Sequence, residues 1–91
     1  MFVVISYDIQ DDKKRFKVSQ ILENYGTRVQ YSVFECIIDD EQLKKIKEKT
    51  GEIIDKENDS IRFYIICEGC LKKVEIIGIG EITKDMDFYI I

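Results

Sequence analysis

Ninety-one residues with a net charge of -4, 45% apolar and 35% charged, fit one domain, because a chain this short buries only about two-thirds of its unfolded surface and cannot support two cores. No Pro-rich, Gly/Ser-rich or repeated segment suggests a linker or an array. The acidic balance argues against nucleic acid unless positive charge is concentrated locally, and it is: Lys13, Lys14, Arg15, Lys17 and Arg28 offset the acids of residues 1–35, while residues 36–59 hold eight acids against five lysines.

Residues 1–7 are Val/Ile-rich without alternation, as in a strand buried on both faces, and the run stops at Asp8. It is too short for a signal peptide or a membrane span, so a cytoplasmic protein with no membrane partner is expected. Asp11 or Asp12 offers a side-chain oxygen to a helix start. Val18, Ile21, Leu22 and Tyr25 then share one face of a helix that runs to about Asn24 or Tyr25, with Gly26 ending it. Phe16 falls nearly opposite that stripe. Residues 27–38 are β-branched and aromatic but too many for one strand, and the Tyr31-Ser32 step divides them into strands at 28–30 and 33–38. Asp39 or Asp40 caps a second helix, residues 41–56, that turns Leu43, Ile46, Thr50, Ile53 and Ile54 inward. Strands are predicted at 60–67 and 73–77, joined by a turn at 67–71.

This order, β-α-β-β-α-β with added C-terminal strand or strands, is an α+β, ferredoxin-like pattern: four antiparallel strands with both helices on one face. The other face stays bare unless something covers it. The chain ends on Phe88, Tyr89, Ile90 and Ile91, where tails are usually polar, so this ending must be docked. The expectation is a single domain over 1–91, with its core in 1–78 and with 79–91 docking on the partner of a two-fold homodimer.

Chemistry is expected where the first strand ends. A carboxylate at that rim, Asp8, beside the cationic turn from Lys13 to Lys17, suits a phosphate held with a metal. One carboxylate is a poor Mg²⁺ site, but a two-fold axis near Asp8 would bring in its symmetry mate. The chain contains no histidine, so the usual base of near-neutral pKa is absent.

A strand ending Tyr7-Asp8, the downstream Arg15, and the run Arg28-Val29-Gln30-Tyr31-Ser32-Val33-Phe34-Glu35 resemble the second universal CRISPR adaptation protein, Cas-two, a family of CRISPR-associated endoribonucleases. The similarity spans residue 1 to about Gly78. It implies a ferredoxin-like homodimer and a nuclease that depends on Mg²⁺ (or Mn²⁺) and cuts RNA or double-stranded DNA. It also implies a role in antiviral spacer acquisition beside the adaptation integrase. It assigns metal binding to Asp8, places Tyr7, Arg15, Arg28, Ser32 and Phe34 around the active cleft, and gives nucleic-acid contacts to Lys13, Lys14, Arg15, Lys17 and Arg28. Where members carry a second arginine two residues after the first, Lys17 keeps the charge without bidentate phosphate geometry. The bland alternatives are a turn residue for Asp8, a core ring for Phe34 and a bend residue for Ser32; Glu35 is expected to pair with a cation or face solvent. Competing functions are a non-catalytic dimer that bridges integrase subunits on duplex DNA, a toxin-like ribonuclease, and a small-molecule regulatory module.

Three cysteines, Cys36, Cys67 and Cys70, form no even-numbered framework, so free thiols are expected. Cys67-Glu-Gly-Cys70 has the C-x-x-C spacing of half a zinc site or of a redox pair, against the plain reading of a strand-end and a turn cysteine. A redox pair should open a helix after a strand, whereas zinc needs two further ligands, which a dimer could share.

Overall fold

The computed structural model describes residues 1–84. Its elements are β1 (Phe2–Asp8), α1 (Asp12–Glu23), β2 (Gly26–Gln30), β3 (Val33–Ile37), α2 (Asp40–Ile53), β4 (Ser60–Ile66) and α3 (Glu68–Leu71). The four strands form one antiparallel sheet in the order β2-β3-β1-β4, the ferredoxin-like arrangement that the element order predicts. No described helix is long and apolar enough to cross a membrane.

Both long helices start where a short acid can receive backbone donors. The Asp11 carboxylate accepts the Lys14 amide, and Asp39 with Gln42 forms a reciprocal capping box at the start of α2. Strand alternation then sorts β1 and β3: Val3, Ile5, Tyr7, Phe34 and Cys36 point to the helices, where with Val18, Leu22, Leu43 and Ile46 they form the buried core. Ser19 and Thr50 are buried beside them, and their hydroxyls donate to the Phe16 and Ile46 carbonyls one turn back.

Three expectations change. Gly26 does not stop α1, which ends with Asn24 as its C-cap; Gly26 opens β2 opposite Cys36. A Cβ there would lie 2.4 Å from the Cys36 sulfur and 2.4 Å from the Glu35 carbonyl, so glycine is required for close strand approach. Second, residues 67–71 are not a plain turn. Cys67 caps the short helix α3. Third, no strand forms at 73–77. The Lys72, Lys73 and Val74 amides donate to the Glu68, Cys70 and Leu71 carbonyls, so the first two donors of the expected strand are spent in consecutive turns. Ile77 and Ile79 are fully exposed beyond them. The tail strand expected at residues 86–91 lies outside the described residues.

Residues 76–84 run along the outer side of β2 and β3, next to Thr27, Val29 and Glu35. There the Thr83 amide and hydroxyl both donate to one Glu35 carboxylate oxygen, at 3.1 and 2.7 Å. Glu35 is thus held by two donors of the chain's own strap, and residues 76–84 line a groove of about 560 Å³ over β2 and β3, where residues 27–30 stay exposed.

Candidate functional site at the sheet rim

β1 carries Tyr7 and Asp8 to one end of the sheet, and the two-residue periodicity of a strand sends them to opposite faces. Tyr7 is buried on the helix side and Asp8 is exposed on the open side. The rim thus holds two distinct clefts where the sequence suggests one.

On the helix side a cleft of about 190 Å³ is lined by Tyr7, Asp12, Arg15, Phe16, Ser19, Arg28 and Tyr31. Arg28 reaches it because it pairs with Phe34 across β2 and β3, just before a bulge that separates it from Gln30. Its guanidinium sits 5.3 Å from the centre of the Phe34 ring and 3.6 Å from the Glu23 carboxylate. Arg15 is more firmly held. It donates to the Ile9 carbonyl at 2.8 Å and to the Asp12 carboxylate, so it braces the loop between β1 and α1. The hydrogen bond that Arg15 donates to Asp12, with help from the Tyr31 phenol nearby, raises the Arg15 pKa and fixes its charge. Burial raises the Tyr7 pKa, only partly opposed by Arg28 and Arg15, and keeps the phenol neutral.

Phe34 is wholly buried, its ring stacked against Tyr7 with centroids 6.3 Å apart. It is a floor under Arg28 and Tyr7 and offers no open face to a base. Ser32 lies in the turn between β2 and β3, where its carbonyl accepts the Tyr7 amide at 3.1 Å. Lys13 and Lys17 are exposed on α1. Lys14, half-buried, lies close enough to Asp55 to help lower that carboxyl's pKa, after the larger contributions of the Asn58 side chain and the Glu57 amide.

On the open side Asp8 shares a second cleft, about 210 Å³, with Ser6, Ser60, Arg62 and Tyr64. The register of β1 with β4 builds it, since Ser6 faces Arg62 and Asp8 faces Ser60. The Arg62 guanidinium donates to the Tyr64 hydroxyl at 3.4 Å, the main cause of its raised pKa. Sequence reasoning missed Arg62. The signal was available in the alternation of 60–67, which puts Arg62 and Tyr64 on the face away from Ile61 and Phe63. Every donor here is a hard oxygen, which suits Mg²⁺ or Mn²⁺, but the cleft holds one carboxylate, and no cluster of three His, Cys, Asp or Glu exists among the described residues. The donor set fits such an ion when a second copy contributes a second Asp8.

Residues 1–74 match the family model described as CRISPR associated protein Cas2. A relative from Chloroflexus aurantiacus named CRISPR-associated endoribonuclease Cas2 3 is 44% identical over 91 residues, covering 100% of this chain and 98% of its own. The crystal structure of Streptococcus pyogenes Cas2 superposes with a TM-score of 0.76 at 36% identity, over 86% of this chain and 100% of that one. A chain from a partial Cas6-RT-Cas1–Cas2 complex superposes with a TM-score of 0.73 at 36% identity, over 84% of this chain and 83% of that chain.

Proposed function

The chain belongs to the CRISPR-associated Cas2 family, and from that premise we propose that it acts in spacer acquisition in the cytoplasm as a homodimeric endonuclease that cleaves RNA or double-stranded DNA at a site shared by the two copies. The observation that carries this reading is the position of Asp8, exposed at the end of β1 on the half of the open face formed by β1 and β4. Two copies meeting through that half bring their Asp8 carboxylates together across the axis, where they would hold one Mg²⁺ or Mn²⁺.

When bound, the ion would acidify a water and neutralise charge on the scissile phosphate. Arg62, in the same cleft, would hold a phosphate oxygen, and Ser6 and Ser60 would orient solvent beside it. Arg28, Lys13 and Lys17 lie farther along the rim and would carry the flanking backbone, a sequence-tolerant and salt-sensitive contact. Arg15 contributes by fixing the loop that follows Asp8.

Asp8→Asn should keep the fold and lower nuclease activity by on the order of 100-fold or more. Wild-type rates should rise steadily from pH 7 toward pH 9, because the chain has no histidine to titrate. Activity of Asp8→Asn equal to wild type in the presence of a chelator, or a rate maximum near neutrality, would contradict the scheme.

A second reading has its own support. Arg15 is committed within the chain, and one similar chain comes from a complex named with Cas1. The dimer would then bridge integrase subunits and hold duplex DNA without cutting it. Spacer acquisition that survives Asp8→Asn while nuclease activity disappears would assign the biological role to this bridge.

A further inference from the structure

The Cys67-Glu-Gly-Cys70 segment is absorbed by neither reading of the rim, and it lies at the far end of β4 from Asp8. Both cysteines are free and exposed. β4 ends at Ile66, and Cys67, still extended in its backbone, is the residue from which α3 begins. This is the strand-to-helix placement that a dithiol pair requires and that a strand-end plus turn pair does not need. The helical spacing of three turns Cys70 back over Cys67, so that the Cys70 amide donates to the Cys67 sulfur at 3.4 Å.

We propose that Cys67 and Cys70 are a redox-active dithiol that exchanges with low-molecular-weight disulfides, Cys67 being the attacking sulfur and Cys70 the resolving one. The local bonds set these roles. The Cys67 pKa is lowered, first by the Cys70 amide and then by the Cys70 thiol, while the Cys70 pKa is raised because its proton is shared with Cys67. Buried Cys36 is pushed up to about 11 by desolvation and takes no part.

In the first step the Cys67 thiolate attacks one sulfur of the small disulfide, forming a mixed disulfide and expelling one thiolate, which takes up a proton. In the second, Cys70 loses its proton and attacks the Cys67 sulfur. The second small thiol leaves, and the Cys67–Cys70 bond forms. The protein dithiol gives up two electrons and two protons, and the small disulfide becomes two thiols. Zinc is the rival ligand for such spacing, but it needs four donors, and no third His, Cys, Asp or Glu joins the pair among the described residues.

Cys67 and Leu71 form one wall of an apolar groove of about 670 Å³ whose other walls include Phe2, Ile37, Ile66 and Ile82. Closing a ring through the first turn of α3 would stiffen that wall.

The test uses the full chain equilibrated with mixtures of reduced and oxidised glutathione, quenched with acid, then unfolded and alkylated with N-ethylmaleimide for intact-mass analysis. The reduced protein should take up label at all three cysteines and the oxidised protein at Cys36 alone. Cys70→Ser should retain glutathione on Cys67, and Cys67 should react at neutral pH roughly 10-fold faster than Cys70 does in Cys67→Ser. Because both side chains are exposed, neither variant threatens the fold. Three labels in every mixture, equal rates for the two thiols, disulfide between chains in place of Cys67–Cys70, or protection of both thiols by stoichiometric zinc would each overturn the assignment.

Discussion

At the scale of single residues, burial separates the roles that a motif lumps together. Phe34 stands in a run whose resemblance puts it near the cleft, yet its ring is fully enclosed between Tyr7, Arg28 and the core. Phe34→Ala should therefore cost about 3–5 kcal/mol of stability, measured by urea unfolding. Any loss of activity should follow the unfolded fraction and vanish when the variant is assayed well below its transition. Alternation in β3 already hinted at this, because Phe34 and Cys36 share a face with Ile38. The split of Tyr7 and Asp8 to opposite faces of the rim follows from the same alternation, and treating the adjacent pair as one site overlooked it. Arg62 was hidden for the complementary reason: it is distant in the chain and brought to Asp8 only by the pairing of β1 with β4.

Cys36 makes a pH prediction at the same scale. Burial raises its pKa from 9.0 to about 11. Below pH 9 both folded and unfolded chains hold this proton, and its contribution to stability is fully present. Between pH 9 and 11 the unfolded thiol ionises while the folded one does not, so stability falls as pH rises, by up to about 2 kcal/mol. Urea midpoints at pH 8 and 10.5 should differ by more in the wild type than in Cys36→Ala, which lacks the thiol; equal differences would remove Cys36 as the cause.

At the scale of elements, the two long helices and the four strands of the sheet were legible, while α3 and the stretch after it were not. Caps at Asp11 and Asp39 and the inward residues Val18, Leu22, Leu43, Ile46 and Thr50 follow from side-chain chemistry and a 3.6-residue period, which act locally. Gly26 was misplaced because a glycine after a helix has two uses, as a stop or as a point of close approach, and only the facing strand distinguishes them. Its replacement tests this. Gly26→Ala should destabilise the domain by about 1–3 kcal/mol. Adding Cys36→Ala should relieve only the clash with sulfur, because the Glu35 carbonyl remains 2.4 Å from the new Cβ. Residues 73–77 misled for another reason. Their β-branched content is real, but the turns after α3 take up the amides of Lys73 and Val74 first.

At the scale of the whole molecule, the open face of β1 and β4 decides what a second copy could do. Val4, Ser6, Asp8, Arg62 and Tyr64 share the outward side of β1 and β4, and Tyr64 is 48% exposed. Small mixed domains bury too little of their surface to leave such a face idle without consequence. The expected assembly is a dimer whose axis passes near Asp8, and Tyr64→Asp should convert it to monomer in light scattering while circular dichroism stays unchanged. Nuclease activity should disappear with the dimer. A dimer that persists in Tyr64→Asp would move the interface elsewhere and separate the two Asp8 side chains.

The double hydrogen bond from Thr83 to Glu35 would give that expected assembly a preferred register. A flat sheet offers a second sheet many sliding registers, each burying similar area. With residues 76–84 anchored beside β2 and β3, a twin molecule would meet the lane formed by β1 and β4, and the rotation that mates lane to lane would fix which ends of β1 come face to face. On the expected dimer, one threonine would therefore act as a keying feature for the pair, disfavouring misaligned stacking.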